Sequence, residues 1–136
     1  MANALYPSGR RRMISGGIDL DTDTLTIVGM TNAYSYSPTH EFASDLDGEI
    51  GTPFNLTGRV VLDDGVFDAD DVTYMGVAIG VILERLAIYK NTGSPASSPL
   101  IYYCDTTSGG SPLSRVGDGG GIPIIWDDGP TRIFRV

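Results

Sequence analysis

Short runs of apolar residues alternate along the whole chain with Gly, Pro, Ser, Thr and Asp, which break them at close intervals. This pattern is typical of many short strands joined by turns, and it does not fit a helical protein. It predicts an all-β fold, an antiparallel β-sandwich of which a jelly-roll-like arrangement is one form. One or two short helices are expected in the N-terminal third. We expect an N-terminal arm with a short helix over 1–16 and a single sandwich domain over 17–136.

Two segments near the N-terminus have helical features. Ser8 is a suitable N-cap for a helix over 9–15, and the Gly16-Gly17 pair would end that helix. One or two further helical turns are predicted within 38–47 from the helix-compatible spacing of Thr39, Glu41, Phe42 and Leu46. Pro53, shortly afterwards, is expected to interrupt regular structure.

The remaining apolar runs are predicted to be strands. The clearest is a hairpin in which Asp63-Asp64-Gly65 forms the turn between strands over 58–62 and 66–67. Glycine and β-branched residues favour a strand over a helix for 79–89. A closing hairpin is predicted from strands over 122–126 and 132–136 around the turn 127–130, which would order the C-terminus. The other expected strands are 17–20, 24–28, 72–77 and 100–104, with a turn at 21–23 and loops over 91–99 and 106–121.

Composition narrows the classes of function. The 136 residues carry 17 acidic and nine basic side chains, a net charge of −8, which repels nucleic acid and anionic lipid. No run approaches the ~18 apolar residues of a membrane-spanning helix, and the first residues lack the apolar stretch of a secretory signal. We therefore expect a soluble protein made in a cytoplasm that binds neither nucleic acid nor membranes.

Two acidic clusters are candidates for a metal site. Asp19, Asp21 and Asp23 resemble the opening of a calcium loop, but the loop's Gly and its terminal Glu are missing. The second cluster consists of Asp63, Asp64, Asp68, Asp70 and Asp71. Aspartate is common in turns because it bonds to nearby backbone, so both clusters are interpreted as turns and no metal or cofactor is predicted.

Groups suited to catalysis are few. His40 is the only histidine and has no evident orienting partner, so it is interpreted as a surface or capping residue. Cys104, the only cysteine, excludes a disulfide within the chain and follows an apolar stretch in which a thiol is normally inert. The Gly-rich tracts at 109–110 and 117–121 lack the Lys and Ser/Thr of a phosphate loop. The sequence therefore predicts a protein that is not an enzyme.

A basic run near the N-terminus departs from the acidic average. Such a run is often only a solvated face, but arginines also pair with carboxylates in bidentate geometry. The functional interpretation is an anchoring arm that docks on an acidic partner. Its predicted binding residues are Leu5, Tyr6, Arg10, Arg11 and Arg12.

Several segments spread over the chain resemble a family of small virion structural proteins of tailed bacteriophages. They are MANALYPSGR at 1–10, THEF at 39–42, GVFDADDVT at 65–73, LAIYK at 86–90 and IIWD at 124–127. The chain departs from that family in its arginine run and in the Gly-rich loop before Ile122.

The resemblance implies a place on the phage particle. The first hypothesis is a decoration or cement protein, assembled as a dimer or trimer in the host cytoplasm and bound to the major capsid protein shell. The second is a structural protein of the tail, the head-to-tail joint or a fibre base, since other virion proteins would be equally suitable partners. A third hypothesis, from another class, is a small glycan-binding or hydrolytic module with Tyr34, Tyr36, Tyr102 and Tyr103 as stacking candidates.

Overall fold

The computed structural model describes residues 3–127 and 132–136 and confirms the all-β prediction. Among these residues the only α-helix is α1, and two single 3-10 turns lie at Ala43–Asp45 and Pro95–Ser97. The elements in chain order are β1 (Ala4–Leu5), α1 (Pro7–Ser15), β2 (Leu25–Met30), β3 (Glu49–Asn55), β4 (Val60–Val61), β5 (Val66–Asp68), β6 (Val72–Tyr74), β7 (Ile82–Leu83), β8 (Arg85–Lys90), β9 (Leu100–Cys104), β10 (Arg115–Val116), β11 (Ile122–Ile124) and β12 (Phe134–Arg135).

A five-stranded antiparallel sheet, in the order β1-β9-β8-β2-β3, forms the centre of the fold. Three small antiparallel ladders accompany it, namely β10-β7, β11-β6 and β12-β5-β4. Because side chains alternate along a strand, β2 places Leu25 and Ile27 on one face and Val28 and Met30 on the other. Both faces are covered, which explains why the whole of β2 is buried.

Two hydrophobic clusters fill the space on either side of the sheet. The larger packs Ile27 and Ile88 against aromatic and aliphatic residues of the ladders, including Phe67 and Phe134, whose rings stack at 5.1 Å. The smaller joins the sheet to the N-terminal segment and to the 31–46 region through Tyr6, Tyr34 and Leu46. The result is a sandwich-like architecture.

Several local predictions are confirmed. The hairpin over 58–67 forms with β4 and β5 as its strands, and the Gly65 N–H donates to the Leu62 carbonyl at 3.0 Å. The 79–89 run is extended as β7 and β8, and α1 ends at Gly16 in the left-handed conformation. The C-terminus is ordered, since the Val136 N–H donates to the Gly65 carbonyl.

Other predictions about the N-terminal half are wrong. α1 begins at Pro7 after Tyr6, so Ser8 lies within the helix and does not cap it. Residues 17–20 form no strand but lead into the turn around Asp21. The helical turns expected over 38–47 reduce to the 3-10 turn Ala43–Asp45. β3 was missed because it contains Pro53, which an edge strand tolerates.

The predicted closing hairpin is also wrong. β11 pairs with β6 and β12 pairs with β5, so the two C-terminal strands belong to different ladders. The segment 128–131, which holds most of the expected turn, lies outside the described residues. The loop over 106–121 contains β10, which pairs with β7.

Candidate functional site

The N-terminal segment is built into the fold. Tyr6, with 0% of its surface exposed, donates its backbone N–H to the Ile101 carbonyl at 2.9 Å. Gly9 is also buried, and a Cβ at this position would overlap the carbonyl oxygen of Leu100. The helix can approach β9 this closely only because residue 9 has no side chain. α1 is therefore part of the domain and is rigidly seated on the central sheet.

Arg12 faces inward and helps to hold α1 in place. Its guanidinium donates to the carboxylate of Glu41 and lies 5.0 Å above the ring centre of Phe42. Only 21% of the Arg12 side chain is exposed. The charge of Arg12 is thus neutralised by Glu41, and the contacts of Arg12 with Glu41 and Phe42 attach α1 to the 41–42 segment.

Arg10, Arg11 and Ile14 form the outer face of α1. Residues three and four positions apart are neighbours on a helix, so Ile14 lies beside both arginines. Ile14 is 79% exposed, Ile79 and Ile125 are 80% and 75% exposed, and what distinguishes Ile14 is its place beside the two arginines. The Arg11 side chain is 69% exposed, with Nη2 at 3.6 Å from Glu41 Oε1. An apolar side chain beside two exposed arginines is thus presented to solvent on a helix that packs against the central sheet.

The structure divides the five residues predicted to bind a partner. Leu5 packs against the larger hydrophobic cluster and Tyr6 lies within the smaller one, so both have internal roles. Arg12 is largely covered, whereas Arg10 and Arg11 remain on the surface. Ile14 was missed, although its spacing from the two arginines was visible in the sequence.

A chain of phenol groups lies beneath α1. The hydroxyls of Tyr6 and Tyr34 are 2.8 Å apart, and Tyr34 also bonds His40 Nδ1 at 2.8 Å. The Tyr103 hydroxyl donates to Asp105 Oδ2 at 2.8 Å. Burial raises the pKa of Tyr34 to about 12 and that of Tyr6 further. These buried tyrosines offer no stacking surface for a sugar, contrary to the role suggested for Tyr34 and Tyr103.

Cys104 is a protonated thiol in this environment. Burial raises its pKa to about 11, and its Sγ–H donates a hydrogen bond to the Thr106 carbonyl oxygen at 3.6 Å. A thiol needs a lowered pKa to act as a nucleophile at neutral pH. The geometry therefore gives Cys104 a packing role.

The first acidic cluster, Asp19, Asp21 and Asp23, behaves as a turn. Asp19 Oδ1 accepts the backbone N–H of Asp21 at 3.0 Å, and this bond is the largest cause of the lowered pKa of Asp19. Asp23 accepts the Asp19 N–H and pairs with Lys90 at 3.2 Å. Within 3–127 and 132–136, no group of three or more His, Cys, Asp or Glu side chains is placed to hold a metal ion.

Comparison with known proteins does not assign the chain to a family. No protein family model matches the chain, and no curated protein matches it. Among the described residues, no helix has the length and hydropathy to cross a membrane.

Proposed function

We propose that this protein is a non-enzymatic structural protein of a tailed-phage virion, a decoration protein that binds the assembled capsid shell. The single observation that supports this role best is the outer face of α1, where Arg10, Arg11 and Ile14 project from a rigidly seated helix. The attribution to a virion rests on the family resemblance of the sequence. The beta-sandwich scaffold is compatible with this role but does not specify it.

The outer face of α1 has the composition of a protein-binding site. Arginine is enriched at such sites, and an exposed apolar side chain gains free energy when a partner covers it. The arginines would pair with carboxylates of the shell, while Ile14 would enter an apolar depression between them. Glu41 pairs closely with Arg12 and at 3.6 Å with the largely exposed Arg11, so Arg10 and Arg11 carry the positive charge that a partner can reach.

Binding of this kind would stabilise the shell by mass action. A protein that binds the assembled form but not the separate subunits shifts the equilibrium away from disassembly. A dimer or trimer would add avidity, because several α1 helices could engage neighbouring shell subunits at once.

The location on the particle is tested by quantitative mass spectrometry of purified virions. A copy number comparable with that of the major capsid protein supports decoration. A handful of copies per particle would instead place the protein in the tail, the head-to-tail joint or a fibre base. Absence from purified virions would overturn both structural roles.

The binding face is tested by co-sedimentation with shells that lack the protein. The double variant R10E/R11E should lose binding by at least about 100-fold, because two favourable charge pairs become repulsive. The matched control compares single variants: R10E should weaken binding, whereas R135E, which makes the same change of charge at an exposed arginine outside α1, should not. Equal losses in R10E and R135E would show a general charge effect and contradict the role of α1.

A further inference from the structure

A cleft of about 530 Å³ opens on the side of the sheet that carries the larger hydrophobic cluster. Its walls come from β7, β8, β9, β10 and β11, the loop after β9 and the segments next to 128–131. The volume lies within the ~300–1,000 Å³ of typical small-molecule sites. None of its lining residues belongs to α1, so the cleft is separate from the outer face of α1.

Trp126, the only tryptophan of the chain, is fixed against this cleft by two hydrogen bonds. Its backbone N–H donates to Asp71 Oδ1 at 2.9 Å, and its indole Nε1 donates to the Asp70 carbonyl at 3.0 Å. The polar edge of the indole is therefore satisfied inside the protein. The exposed part of the half-buried indole ring is therefore an apolar surface on which a ligand can pack.

The accessible rim of the cleft carries polar groups beside one exposed apolar side chain, Ile125, of which 75% is exposed. Thr107 and Ser108 follow β9, and Arg115 lies on β10, and all three are exposed. The floor consists of side chains that the fold has already buried, such as Leu83 at 0% and Leu86 at 3% exposure. A purely apolar ligand could cover Ile125 but would leave Thr107, Ser108 and Arg115 without partners, so the cleft suits a ligand that has both an apolar face and polar groups.

We propose that this cleft binds a saccharide. A sugar ring has an apolar C–H face, which can pack on an indole, and a periphery of hydroxyls, which can bond to hydroxyl and guanidinium groups. The cleft presents one indole, that of Trp126, together with Thr107, Ser108 and Arg115 at its rim. An uncharged sugar also avoids the repulsion that the net charge of −8 exerts on nucleic acid.

Intrinsic fluorescence provides a direct test, because all tryptophan emission comes from Trp126. The protein is first screened on an array of bacterial surface and wall glycans, and each bound glycan is then titrated while the emission is followed. We expect a saturable change in emission. R115A should weaken binding by about tenfold or more through loss of charged hydrogen bonds, and T107A should weaken it less.

The control is R10E/R11E, which should bind the same glycan with unchanged affinity while losing the shell. This control separates failure of the saccharide site from failure of the proposed shell binding.

The inference is overturned if the array shows no binding and cellohexaose, maltohexaose and chitohexaose at about 10 mM leave the emission unchanged. It is also overturned if R115A and T107A, folded by near-ultraviolet circular dichroism, bind like the wild type. Emission that responds to the empty shell and to no glycan would assign the cleft to a protein partner instead.

Discussion

The hydroxyl oxygens of Tyr6 and Tyr34 lie 2.8 Å apart in the interior, and this pair joins the N-terminal segment to the 31–46 region. Tyr34 in turn bonds His40 Nδ1 at 2.8 Å. The side chains of Tyr6, Tyr34 and His40, none of which lies on the outer face of α1, therefore hold the helix in position. The outer face of α1 is therefore presented by a scaffold that is fixed from within. Substitutions of buried residues therefore test how α1 is held in place, just as substitutions on its outer face test binding.

Tyr6→Phe should lower the free energy of unfolding by about 1 kcal/mol, the usual net value of one buried hydrogen bond. Tyr34 keeps its bond to His40, which limits the cost. Urea denaturation with an unchanged m value would measure the loss. Tyr36→Phe is the matched control, because the Tyr36 hydroxyl has no hydrogen bond within the described residues. An equal effect of the two changes would contradict the importance of the Tyr6–Tyr34 pair.

Gly9→Ala should destabilise the protein by about 2 kcal/mol, since overpacking against fixed backbone is costly. The added Cβ would meet the Leu100 carbonyl oxygen, which belongs to a central strand and cannot move aside. The melting temperature would report the change. Gly109→Ala is the control, because the nearest atom to its Cβ, Thr107 Oγ1, is 3.9 Å away. A neutral Gly9→Ala would show that α1 does not rest on β9.

All seven tyrosines have a raised pKa, and burial is the first cause in each case. A folded-state pKa above the ordinary value of 10 means that the neutral phenols favour the folded state. Their contribution to stability is complete below pH 10 and is lost as the pH rises above it. We expect tyrosinate absorbance to appear together with loss of near-ultraviolet circular dichroism. Ionisation of most tyrosines near pH 10 in a protein that stays folded would contradict this.

The Cys104 thiol should react slowly with Ellman's reagent at pH 8, because its pKa is about 11 instead of the ordinary 9.0. The protonated thiol favours the folded state below pH 9, and this contribution is lost between pH 9 and pH 11. The labelling rate of the folded protein should rise over that interval. Labelling at pH 8 as fast as in urea-unfolded protein would show an accessible and activated thiol.

Features encoded by neighbouring residues were predictable from the sequence. The Asp63-Asp64-Gly65 turn and the end of α1 at Gly16 depend on local backbone preferences, which hold wherever the segment lies in the fold. The alternation of apolar and polar residues was likewise sufficient to indicate an all-β protein. The cluster of Asp19, Asp21 and Asp23 was interpreted as a turn on the same local grounds, and its backbone hydrogen bonds agree with that interpretation. In the second cluster, by contrast, Asp71 accepts the backbone N–H of the distant Trp126.

The partners of the strands were decided by tertiary structure. β11 and β12 look like the two halves of one hairpin in the sequence, yet each pairs with a strand of a different ladder. Strand pairing between distant segments depends on which faces fit together, and no short window of sequence contains that information.

The same distinction applies to the candidate site. The sequence determined that three consecutive arginines stand out in an acidic chain, and that a helix carries them. Only the tertiary structure separated Arg12, which lies against Glu41 and Phe42, from Arg10 and Arg11, which face solvent with Ile14. The physical reason is that successive residues of a helix point about 100° apart, so the surface beneath the helix decides which of them is covered.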